Sequence, residues 1–149
     1  MVTTYCLDGN KLEADIAYKK IFRRALKSII YIDDYVNLKT LSILSLAKAN
    51  VDITLITDNK TKDSVTGYMV NDFITQNKSN KLTLLKSNNK MHDRYIIIDF
   101  NTNNETIYHC GTSLKDAGNK ITTIQKVEDS SLYKQTINKL LNNKKLILY

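Results

Sequence analysis

The chain carries two histidines, His92 and His109, and two cysteines, Cys6 and Cys110. Any histidine chemistry has to run through one of two side chains. His92 is the more suggestive, because it stands in the run Met91-His92-Asp93-Arg94-Tyr95-Ile96-Ile97-Ile98-Asp99. The apolar centre of that run predicts a strand over 91–100 covered on both faces. Residues two apart on a strand share a face, so His92 and Arg94 point the same way, while Asp99 has the opposite parity and closes the strand. An imidazole and a guanidinium side by side on a buried strand are costly unless an anion or a polar cavity meets them. Phosphate answers that need, since arginine binds its oxygens bidentately and keeps its charge.

Other polar groups have competing readings. His109 lies at a strand end just before Gly111, where it either lines the same cleft or serves structure. Asp33 and Asp34 end one expected strand and Asp58 follows the next, a spacing that resembles the magnesium site of response-regulator receivers. A helix before the first strand and the lack of a matching late lysine motif count against that idea. The alternatives are that one of these acids pairs with Arg94 or a lysine, or caps the next helix. The cysteines are far apart, with no Cys-x-x-Cys spacing, and read as reduced and partly buried. Neither a metal nor a cofactor is expected.

The elements that must position these groups follow from periodicity. Helices are predicted over 11–27, 38–49, 61–76 and 130–142. Strands are predicted over 28–35, 51–57, 81–85, 91–100, 105–110 and 121–127, with a short helical turn between Gly111 and Gly118. Strands alternating with helices in the first half imply βαβ units, so the class is α/β with a mixed, largely parallel sheet. The absence of proline, Gly/Ser linkers and repeats predicts one domain over 1–149.

The net charge of +7 over 149 residues suggests a polyanionic partner, with nucleic acid a better fit than a membrane surface. The tyrosines are scattered without a stacking pattern, which does not indicate a single-strand platform. No apolar run approaches the roughly 20 residues of a membrane span. The first residues lack the basic start and apolar stretch of a signal peptide, so a cytoplasmic location is expected.

The spacing His92-x-Arg94-x-x-x-x-Asp99 resembles the signature of the phospholipase D superfamily, His-x-Lys-x-x-x-x-Asp, with arginine in place of lysine. Gly111-Thr112-Ser113 is similar to the small-residue segment that follows the signature one strand later. LDGNKLEADIAYKKIFRRALKSIIYIDDYVN, VDITLITD, MHDRYIIID and IYHCGTSLKDAG occur in the order seen in single-signature domains of bacterial and phage regulatory or mobile-element proteins. The resemblance implies helices on both faces of the sheet and a metal-independent phosphodiesterase or nuclease. His92 would be the nucleophile, and a homodimer would supply the second histidine. It also implies that Arg94 stabilises phosphoryl charge, that Gly111, Thr112, Ser113 and Lys115 contribute to phosphate binding, and that Glu128 orients His92. Two departures stand against catalysis. Arginine is not a geometric substitute for lysine, and the family's asparagine after the serine segment is replaced by Leu114-Lys115. A non-catalytic phosphate- or nucleic-acid-binding module is therefore the second reading, and a stand-alone oligomerisation domain the third.

Overall fold

The computed structural model describes residues 4–119 and 121–149. Seven strands form one sheet in the order β1-β7-β6-β5-β2-β3-β4. They are β1 (Thr4–Asp8), β2 (Ser28–Ile32), β3 (Asp52–Ile56), β4 (Leu82–Leu85), β5 (Arg94–Ile98), β6 (Thr106–Cys110) and β7 (Ile121–Lys126). The helices are α1 (Lys11–Phe22), α2 (Leu38–Leu44), α3 (Gly67–Gln76) and α4 (Ser131–Leu141). No described helix is long and apolar enough to cross a membrane.

The sheet is mixed, but its parallel part is smaller than the helix–strand alternation suggests. Only β2–β3 and β3–β4 pair in parallel, whereas β2–β5, β5–β6, β6–β7 and β1–β7 are antiparallel. The reason lies after β4, where short connections replace helical crossovers and force antiparallel neighbours. β1 escapes periodicity because it is a five-residue edge strand with one buried side chain.

Each face of the sheet has its own core. Tyr31, Ile96, Ile98, Tyr108 and Cys110 pack under α1 and α2, together with Tyr18, Ile21, Phe22 and Leu44. On the other face Ile30, Ile32, Ile97 and Ile107 meet Ile137 and Leu140 of α4. Burying an isoleucine stabilises the fold by about 2–3 kcal/mol, so the isoleucines of β2 and β5 fix these strands at the centre. Side chains cap the starts of α1, α2 and α3. Asn10 accepts from the Glu13 amide at 3.1 Å, and Asn37 and Thr40 form a reciprocal box at the start of α2.

The outer edge of β4 is covered by the C-terminal segment. Lys86 donates its amide to Lys144 O at 2.9 Å and Leu146 donates to Leu84 O at 3.0 Å, which hides backbone groups that would otherwise invite another strand.

Candidate functional site

Strand directions decide which residues meet. β5 runs antiparallel to β2, with Ile32 opposite Tyr95, so β5 starts where β2 ends. β6 returns with Cys110 opposite Arg94. Asp33, Arg94 and the Gly111–Ser113 turn therefore share one end of the sheet.

There the side chains form a closed polar chain. Arg94 Nε donates to Ser113 Oγ at 3.1 Å, and Ser113 Oγ donates to Asp33 Oδ1 at 3.0 Å. Arg94 Nε also lies 3.7 Å from the same carboxylate oxygen. Tyr31 donates its hydroxyl to Asp33 Oδ2 at 2.8 Å and accepts from the Leu114 amide at 3.0 Å. The Tyr35 amide donates to Asp33 Oδ1 at 2.9 Å, and the Arg94 guanidinium stands 5.9 Å from the centre of the Tyr35 ring, within cation–π range. Asp33 is buried, with 1% of its surface exposed. Burial pushes its carboxyl above the ordinary range, although the Tyr35 amide, the Tyr31 and Ser113 hydroxyls and the Arg94 charge pull the other way. Cys110, beside Arg94 in the ladder, is also buried, and burial pushes its thiol up to about 12. It is not a nucleophile at neutral pH.

Arg94, Gly111, Thr112, Ser113, Asp116 and Asn119 line a cleft of about 340 Å³. The Thr112 hydroxyl is buried and lacks a hydrogen-bond partner among the described residues. Gly111 lies so close to β7 that a side chain there would start 2.2 Å from the Thr122 hydroxyl. Gly118 closes the segment at φ +87°, and a Cβ would sit 2.5 Å from Lys11 Cα, so this loop is seated on the start of α1. Lys115 does not face the cleft as a free charge, because its Nζ contacts the Asp116 carboxylate at 2.8 Å.

His92 is not on β5. The strand begins at Arg94, and His92 is exposed in the preceding loop without a side-chain hydrogen bond or ion pair among the described residues. Strand parity therefore does not set its direction. The loop is instead held by acids at the ends of the parallel strands. Asp58 accepts the amides of Ser87 and Asn88 at 3.1 Å and of Asn89 at 2.7 Å. Burial raises the Asp58 carboxyl, but the amides and the Ser87 hydroxyl outweigh it and bring it below its ordinary value. Asn88 and Asn89 take left-handed φ values of 57° and 56°, a conformation asparagine tolerates. Asp34 accepts from the Ser87 hydroxyl and the Asp58 amide and lies 3.5 Å from Lys60 Nζ. Asp33 thus pairs with Arg94 and Asp34 with a lysine, two of the alternatives open from sequence. Among the described residues no group of three or more metal-ligating side chains converges, these three aspartates included.

Asp99 and Glu128 are at the other end. Asp99 follows β5, and at about 3.3 Å per residue it lies about 16 Å along the chain from Arg94. It is buried and accepts the amides of Leu26 at 3.0 Å, Lys27 at 2.7 Å and Ser28 at 3.1 Å. This holds the α1–β2 connection rather than a reacting group. Glu128 follows β7, which runs antiparallel to β6, so it exits at the far end and cannot orient His92. His109 points to the opposite face from Arg94, packs edge-on against Tyr95 at 5.3 Å and lies 3.7 Å from Asp93.

No family model matches the chain, and no curated protein matches it. Solved structures do. NucT from Helicobacter pylori superposes with a TM-score of 0.64 at 16% identity over 95% of both chains. TrmBL2, an archaeal chromatin protein described with a novel mode of DNA binding, matches with a TM-score of 0.60 at 16% identity, over 97% of this chain and 55% of its own. Polyphosphate kinase from Porphyromonas gingivalis matches with a TM-score of 0.54 at 16% identity, over 95% of this chain and 23% of its own. These likenesses define the class as a phospholipase D-like α/β fold. At such identity they speak to fold alone.

Proposed function

We propose that this chain is a metal-independent phosphodiesterase of nuclease type that works in the cytoplasm as a single-domain homodimer. The carrying observation is the Arg94–Ser113–Asp33 chain at the cleft, two residues from an exposed histidine. His92 attacks the phosphorus and the P–O bond to the leaving group breaks, giving a phosphohistidine. His92 of the partner subunit protonates the leaving oxygen, then takes a proton from the water that releases the phosphomonoester from the nucleophile. Arg94 stabilises charge on the transferring phosphoryl group. Ser113 and Asp33 fix its Nε, leaving the terminal nitrogens for phosphate oxygens. The unpaired Thr112 hydroxyl is a donor whose burial cost a phosphate oxygen would remove, and Gly111 lets the turn that carries it pack against β7. Nucleic acid is the favoured substrate on net charge, and the DNA binding described for TrmBL2 is in keeping with it.

Purified protein should hydrolyse bis-nitrophenyl phosphate or a nucleic acid in EDTA, and His92→Ala should abolish this. Equal turnover by the variant, or none by the parent, sinks the proposal. One observation favours the second reading, a module that binds phosphate without turnover. Asp33 neutralises much of the Arg94 charge, which weakens its pull on a transition state more than its geometric fit to a bound oxygen. Salt-sensitive phosphate or nucleic-acid binding without hydrolysis would select that reading.

A further inference from the structure

At the Arg94 end, Lys39 pairs with Asp15, Lys60 with Asp34, Arg94 with Asp33 and Lys115 with Asp116, while the scattered Lys62, Lys86 and Lys90 make no ion pair among the described residues. At the opposite end lie the three connections that return from α1, α2 and α3 to the feet of β2, β3 and β4. Segments 23–28, 45–52 and 77–81 carry Arg23, Arg24, Lys27, Lys48, Lys78 and Lys81 against one acid, Asp52. Lys19 and Lys20 in the last turn of α1 extend the same rim. The six lysines are exposed, and none makes a side-chain hydrogen bond or ion pair among the described residues.

Helix-dipole compensation explains Lys19 and Lys20, but not Lys27, Lys48, Lys78 or Lys81, which lie outside the helices. These are held close together by backbone contacts. Asp52 N donates to Lys27 O at 3.0 Å and Ile53 N to Lys81 O at 2.8 Å. The Asn80 amide group donates to Lys48 O at 2.8 Å and Val51 O at 3.0 Å. Arg23 ties α1 to the next connection through Leu46 O at 3.0 Å. Strands about 4.8 Å apart put the three feet within roughly 10 Å, a length over which a nucleic-acid duplex presents on the order of six charges.

We propose that this lysine rim docks the phosphate backbone of double-stranded nucleic acid, independently of chemistry at the Arg94 cleft. The segments contain no aromatic residue, so unstacked bases have no platform there. Leu26 is their one exposed large apolar side chain among the described residues, too little to anchor an interfacial membrane contact. Neutralising about five phosphates gives a salt slope near −4.5, so affinity for a 20-base-pair duplex falls roughly 500-fold between 50 and 200 mM salt.

The test compares two triple variants of equal net charge in duplex titrations. Lys27→Glu/Lys48→Glu/Lys81→Glu should weaken binding by about 30-fold or more and flatten the salt slope by about 3. Lys139→Glu/Lys144→Glu/Lys145→Glu, away from the rim, should stay within about threefold of the parent, with thermal melts showing that both variants fold. Equal loss in both variants would reduce the effect to net charge and overturn the proposal, as would no loss in either. Capture by phosphatidylserine vesicles but not by the duplex would overturn it too. If the rim variant alone loses the duplex while no form hydrolyses any diester, the rim stands and the phosphodiesterase reading falls.

Discussion

Asp33 and Asp99 lie at opposite ends of the sheet's two central strands, and each has 1% of its surface exposed. Asp99 is surrounded by three successive backbone amides. Asp33 receives one amide and otherwise leans on Tyr31, Ser113 and Arg94. Backbone donors are present whatever side chains the chain carries, and they lock a loop. Side-chain donors can turn, titrate or be shared with a ligand. Equal burial thus conceals different jobs, and the identity of the donor separates an acid that serves the fold from one that can serve a site.

The largest expected effect is at Asp99. Asp99→Ala leaves buried amides without acceptors and should cost about 4 kcal/mol, at about 1–3 kcal/mol per unpaired group. That corresponds to a melting temperature lower by about 8–16 °C. Hydrolysis or anion binding per folded molecule should stay within about twofold. A specific loss of activity without loss of stability would make Asp99 a site residue and erase the contrast.

Asp33→Ala should cost less, about 3 kcal/mol, because the stranded Arg94 is partly exposed. It should also remove phosphate affinity, read by titration with inorganic phosphate; unchanged affinity would break the comparison. The pH dependence sharpens it. Burial raises the Asp33 carboxyl, so the folded state holds that proton more tightly than the unfolded chain does. The stability this contributes is complete below the ordinary value of about 3.9 and is lost as pH rises through the folded value. Urea melts should therefore show the parent losing ground to the non-titrating Asp33→Asn variant from pH 4 toward 8. A trend of the opposite sign would mean that the arginine and hydroxyl contacts outweigh burial. Ser113→Ala, the mildest change, removes one link of the chain and should cost about 1.5 kcal/mol, with KM raised more than kcat lowered.

Much of this arrangement is legible in the sequence. The run Tyr95-Ile96-Ile97-Ile98 announced a doubly covered strand, and the acids after Ile32 were expected to meet Arg94 or a lysine. What failed did so because alternation carries no direction. Without the antiparallel return of β5, β6 and β7, nothing in the spacing told that Asp99 and Glu128 leave the sheet at the end away from Arg94. His92 was misread for a related reason. Two left-handed asparagines and the Asp58 carboxylate hold its loop outside the strand, and that acid lies about thirty residues upstream.

The covering of β4 by residues 144–146 bears on self-association. Were this segment to peel away, the β4 backbone would be open to pairing with the same edge of another copy. Leu146→Pro, which removes the amide that holds Leu84 O, should therefore increase insoluble product, whereas a charge placed on the outer edge of β4 should reduce it.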